Sequence, residues 1–183
     1  LAQYWLVPAV LPSASTPRGR SETPVMRFAR GAKLIASGDF AAGLPLVNGD
    51  GLAESPLAPY AQYYTGVALA GLSRLAEADA VLTQLVSRKP DGYLAEGAVL
   101  RLGDVLVGKG DAGRAEDLLE DLSTGKVIAP EIVFLALGRA EEAVSHRDRA
   151  LAAYRRIYYD YPMSTEAADA QSAIERLQTD DLI

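Results

Sequence analysis

The chain contains no cysteine, which excludes disulfides, thiolate nucleophiles and zinc–thiolate sites. That absence fits a periplasmic and a cytosolic home equally well. Histidine occurs once, as His146 in a polar inter-helix turn, which rules out a histidine metal cluster and sets a catalytic triad aside. No apolar run approaches the roughly 20 residues that a bilayer-spanning helix requires. The β-branched and aromatic residues that enrich strands are sparse beside alanine and leucine, so the composition leans towards helix. Net charge is −6, and the electrostatic footprint of a nucleic-acid binder is missing.

What is present is an ordinary globular composition, 49% apolar and 23% charged, with the charge unevenly placed. Residues 1–90 carry 8 basic and 6 acidic side chains, whereas residues 91–183 carry 10 and 18, which reads as a solvated acidic surface. The opening Leu1–Leu11 (LAQYWLVPAVL) is apolar but short and broken by Pro8. A cleaved signal would not persist in a mature chain, so this segment reads as an arm packing on the first helices. Leu11–Pro24, with three prolines and several Ser, Thr and Arg, reads as an extended linker. Residues 1–24 are therefore expected to be arm and linker, and residues 25–183 a single helical domain.

The strongest signal is a repeated register. Gly31, Gly66, Gly103 and Gly138 are each followed twelve residues later by Gly43, Ala78, Ala115 and Ala150, with steps of 35, 37 and 35 residues. A period near 34 is that of the tetratricopeptide helix–turn–helix unit. A small residue in each helix of a pair lets the two axes approach closely where they cross. Four residues further come Val47, Leu82, Leu119 and Tyr154, one helical turn along the same face. Pro90 and Pro162 end second helices, and Asp39 and Asp111 are placed to cap them.

The predicted helices are Val25–Ala36, Phe40–Val47, Pro59–Leu72, Leu75–Ser87, Tyr93–Val107, Ala112–Ser123, Pro130–Val144 and Arg149–Tyr159. A last one, about Thr165–Gln178, covers the open end of the stack, as terminal repeats must. The fold class is all-α, a tetratricopeptide-like α-solenoid of about four helix–turn–helix units plus a capping helix. Pro45 inside the second helix and the turn Asn48-Gly49-Asp50-Gly51 predict that the first unit is short and degenerate.

Two stretches carry a more specific resemblance. Ser55-Pro56-Leu57-Ala58-Pro59-Tyr60-Ala61-Gln62-Tyr63-Tyr64 and the run from Ala153 to Ala168 (AYRRIYYDYPMSTEAA) resemble the helical N-terminal region of bacterial soluble lytic murein transglycosylases. Similar Tyr-Pro-x-Ser endings occur in periplasmic lipoproteins that assemble the outer membrane and in cell-division coordinators of the Tol–Pal system. The transglycosylase resemblance implies a periplasmic scaffold that precedes a lysozyme-like domain cleaving peptidoglycan. The family's catalytic glutamate-serine motif has no counterpart here. Glu54-Ser55 runs into Pro56 and a Pro-Tyr segment and reads as a helix-entry turn, so no catalytic residue carries over and no cofactor is implied.

Within the tetratricopeptide pattern the first helix of each pair lines the concave face. Counting from the register glycines places Tyr60, Tyr63 and Val67, then Leu100, Asp104 and Val107, then Ile132, Leu135, Arg139 and Glu142 on that face. Tyr60, Tyr63, Leu100, Asp104, Leu135, Arg139 and Glu142 are the candidate partner-binding residues, a mixed lining suited to a peptide segment or a partner helix. The tyrosines also suit packing between repeats. Glu116/Glu120 and Glu141/Glu142 are expected on solvated faces with ordinary titration. The chain thus reads as a non-catalytic scaffold whose partner is a protein or peptide segment, a glycan strand or an attached catalytic domain. The alternatives are a free-standing adaptor in envelope assembly and a cytosolic adaptor.

Overall fold

The computed structural model describes residues 22–49 and 51–179. The expected arm and most of the linker, residues 1–21, lie outside them. The described residues form helices α1 (Pro24–Ala36), α2 (Phe40–Val47), α3 (Ala58–Gly71), α4 (Leu75–Ser87), α5 (Gly92–Lys109), α6 (Ala112–Thr124), α7 (Pro130–Ala143), α8 (Arg147–Asp160) and α9 (Glu166–Thr179), with no strand among them. Each predicted helix is found, its ends within about two residues.

The helix ends follow from local chemistry. Thr23 Oγ1 accepts from the Met26 amide at 3.3 Å and Pro24 opens α1, where a missing amide proton costs nothing. Asp39 caps α2, accepting from the Ala42 amide at 3.2 Å. Asp111 does not cap α6 with its side chain, because its carboxylate turns to Arg114, 3.8 Å away. All four A–B turns share one device. Seven residues after each register glycine the chain takes a positive φ, at Gly38 (87°), Ser73 (59°), Gly110 (88°) and Ser145 (64°). The next amide then bonds back five residues, as Asp39 to Leu34, Arg74 to Leu69, Asp111 to Leu106 and His146 to Glu141. These are the bonds of a left-handed helix C-terminus.

The register glycines do the packing predicted for them, but their partner is the large residue sixteen positions on. A β-carbon on Gly66 would lie 2.5 Å from Leu82 Cγ, on Gly103 3.0 Å from Leu119 Cδ1, and on Gly138 2.6 Å from Tyr154 Cε1. On Gly31 it would lie 2.8 Å from Val47 Cγ1. Ala78, Ala115 and Ala150 are fully buried beneath these crossings. The first pair is shortened as expected, α2 having eight residues with Pro45 inside it.

The helices gather into two compact units that divide within α5, between Ala98 and Val99. The first holds α1–α4 and the start of α5. Its core is Phe28, Ile35, Val47, Leu52, Tyr63, Tyr64, Leu85 and Leu94, with Tyr64 edge-on to both Phe28 (5.8 Å) and Tyr63 (5.5 Å). Burial, then the neighbouring Tyr63, pushes the Tyr64 phenol up to about 12. The second holds the rest of α5 and α6–α9, around Leu102, Leu106, Leu119, Val133, Tyr154, Ile157 and Leu177.

Within this second unit α9 has the chemistry of a cap. Ala173 stands 35 residues after Gly138 and continues the register. At the positions where α7 buries Val133, Phe134, Leu137, Ala140 and Glu141, α9 exposes Ala168, Asp169, Ser172, Glu175 and Arg176. Small and polar side chains thus stand where α7 has core residues, as in a terminal repeat.

Candidate functional site

Five of the candidate residues belong to the second unit. Leu100 and Asp104 lie on α5, and Leu135, Arg139 and Glu142 lie on α7. Asp104 is exposed, receives Arg101 Nη1 at 3.3 Å and lies within electrostatic reach of Arg139. Leu135 is buried, whereas Arg139 is exposed and Glu142 half-buried. Across from them, α9 supplies partners for both charges. Arg139 Nη2 stands 3.3 Å from Asp169 Oδ2, and Arg176 Nη2 2.7 Å from Glu142 Oε2. The Tyr154 hydroxyl donates to Glu142 Oε1 at 2.6 Å, its ring having passed beneath Gly138.

These side chains border an open groove of about 700 Å³ lined by Leu135, Arg139, Glu142, Tyr154, Ala173 and Arg176, among others. Burial first, and then the bond to Glu142, raises the Tyr154 phenol far above its ordinary value. The hydroxyl is therefore a fixed donor and not an acid–base group at any physiological pH. The arrangement offers an apolar floor between charged walls, with the Arg139–Asp169 pair exposed and the Glu142 side of the second pair half-buried. The exposed pair contributes about 0–1 kcal/mol, so a partner can exchange it at little cost.

The other two candidates belong to the first unit. Tyr60 is half-buried. Tyr63 is 1% exposed, which corrects its expected place on the binding face and fits the packing alternative. Its ring lies against Gly97 on the opening part of α5, where a β-carbon would make an ordinary contact with Cε2 at 3.6 Å. Tyr63 is a core residue with no surface to offer a partner. Glu54-Ser55 forms the expected entry turn, Ser55 Oγ donating to the Leu52 carbonyl at 2.7 Å and accepting from the Leu57 amide at 3.2 Å.

A second correction concerns the carboxylates. Glu116 and Glu141 are 6% and 3% exposed, not solvated. Both converge on Arg149 of α8, Glu116 at 2.9 Å and Glu141 at 3.3 Å. A signal was available in the register. Three residues after its glycines stand Leu34, Leu69, Leu106 and Glu141, so the glutamate occupies a leucine position. One residue after Gly43, Ala78, Ala115 and Ala150 stand Leu44, Asp79, Glu116 and Leu151, where an acid again takes the place of leucine. Among the described residues no group of three or more His, Cys, Asp or Glu is placed to hold a metal ion. No described helix is long and apolar enough to cross a membrane.

Comparison with solved structures supplies the fold. The chain superposes on a double mutant of MamA (MamA RS-1 ArsTM) with a TM-score of 0.65 at 16% identity, covering 88% of this chain and 97% of that one. It superposes equally on MamA 41-end from Desulfovibrio magneticus RS-1, with a TM-score of 0.64 at 16% identity and coverage of 87% and 96%. The architecture is a tetratricopeptide-like α-solenoid. At this identity the likeness concerns the fold alone. No protein-family model and no curated protein matches the chain.

Proposed function

We propose that this chain is a non-catalytic interaction module that receives a protein or peptide segment on the face formed by α7 and α9. The observation that carries this reading is the open groove of about 700 Å³, where Leu135, Ala143 and Ala173 meet the pairs Arg139–Asp169 and Glu142–Arg176. Helical-repeat proteins present open, mixed surfaces of this kind to extended segments and helices. The Arg139→Ala/Arg176→Ala double variant tests it. Capture of envelope partners by the purified chain should fall while the melting temperature stays near that of the parent. Undiminished capture would contradict the assignment.

The finer reading is that the module is the N-terminal part of a periplasmic lytic transglycosylase-like protein in peptidoglycan turnover. It rests on the sequence resemblance of residues 55–64 and 153–168. Within the second stretch Tyr159 and Met163 are 73% and 95% exposed, so this part of the likeness is not dictated by core packing. Reading the gene beyond residue 183 tests it. A lysozyme-like domain there supports the cell-wall role, and its absence together with an upstream lipidated cysteine supports the envelope-adaptor alternative.

A further inference from the structure

Arg149 holds three carboxylates at once. Its Nη1 lies 2.9 Å from Glu116 Oε1 and its Nη2 2.8 Å from Glu120 Oε2, both on α6, and its Nε lies 3.3 Å from Glu141 Oε1 on α7. His146, in the turn before α8, sets Nδ1 2.8 Å from Glu116 Oε1. The Glu116 and Glu141 side chains are nearly sealed from water, while His146, Arg149 and Glu120 are about half open. Glu141 Oε2 is buried without a hydrogen-bond partner.

The charges do not balance. Three carboxylates face one guanidinium, and even a protonated His146 leaves one negative charge over. The uncompensated charge falls on the group least able to keep it, because a buried carboxylate oxygen with no donor loses its hydration and gains nothing in return.

We propose that this cluster is an acid-tightened clamp, in which a proton taken up on the Glu141 carboxylate cancels the surplus charge and binds α6, α7 and α8 more firmly together. The groups facing Glu141 are Glu116 and Glu120 from α6, His146 from the turn and Arg149 from α8. Burial raises the Glu141 carboxyl above the usual range. Arg149 opposes that shift, and the like charges of Glu116 and Glu120 reinforce it. The folded chain therefore binds this proton more readily than the unfolded chain does. The resulting stabilisation is complete below the ordinary glutamate value and is lost as pH rises through the raised one. An ion network needing every member ionised would behave in the opposite sense. Because α7 and α8 also carry Glu142 and Tyr154, the clamp steadies the helices that build the groove.

Thermal unfolding of the full chain and its Glu141→Gln variant between pH 4.5 and 8.5 tests the clamp. The variant, permanently neutral, is expected to melt roughly 2–4 °C above the parent at pH 8, the gap closing towards pH 4.5. A carbon-13 NMR titration of the parent should show the Glu141 carboxyl titrating above free glutamate, and this measurement decides the matter alone if the variant does not fold. A gap independent of pH, a variant least stable at high pH, or a carboxyl titrating at or below free glutamate would overturn the proposal.

Discussion

Gly138 and Tyr154 are fitted to each other. The tyrosine ring crosses α7 at the one place with no side chain, and a β-carbon at 138 would sit 2.6 Å from Cε1. Gly138→Ala is therefore expected to cost about 1–3 kcal/mol by overpacking, as is Gly66→Ala, which would drive into Leu82. Gly113, on the exposed side of α6 with nothing within 4 Å, is the control. Gly113→Ala should gain about 0.5–1 kcal/mol through helix propensity. Urea unfolding of the three variants checks the register, and equal losses at 113 and 138 would contradict it.

The two serines in left-handed backbone are strained where Gly38 and Gly110 are not. Ser73→Gly and Ser145→Gly should each stabilise the chain by roughly 0.5–1 kcal/mol, whereas Gly110→Ala should destabilise it by a similar amount. Chemical denaturation measures all three. A loss on placing glycine at 73 would mean that the serine hydroxyl there contributes more than the backbone costs.

The concave-face count places both Tyr63 and Arg139, with packing the alternative for the tyrosine, and the structure separates them. Removing the buried ring in Tyr63→Ala is expected to cost about 3–5 kcal/mol, the range of a large aromatic truncated in a core. Arg139→Ala should change stability by less than about 1 kcal/mol. Circular-dichroism melts distinguish the two. A mild Tyr63→Ala would return that residue to the surface.

The contrast shows what was legible. Helix positions, the turn residues and the glycine crossings follow from a 35-residue spacing, because each depends on side-chain size or backbone freedom at a fixed place in the repeat. The concave-face count misplaces Tyr63 because its burial comes from packing against Tyr64 and the start of α5, contacts that lie outside the glycine register. Residue type suggests that Glu116 and Glu141 are solvated, although Glu141 stands where the other three repeats have leucine and Glu116 where two of the four do. Charge pairing across three helices was not contained in any local pattern.

Alkaline pH should destabilise the fold through Tyr64. Its phenol is raised from 10 to about 12, so the folded state resists ionisation. The corresponding stability is complete below pH 10 and is lost between pH 10 and 12. Tyr64→Phe should flatten the fall in melting temperature across that interval, and an unchanged slope would show that the buried phenol is not responsible.

A partner seated on the α7–α9 face is best detected by site-specific photo-crosslinking. A photoreactive side chain placed at Arg139 or Arg176 in the full chain, within cells of the source organism, should give a discrete adduct that is not formed from Glu77, an exposed position on α4. The adduct at 139 should weaken when Glu142→Ala is added, in keeping with a binding loss of roughly tenfold. Adducts that form equally at all three positions, or only at Glu77, would contradict the account.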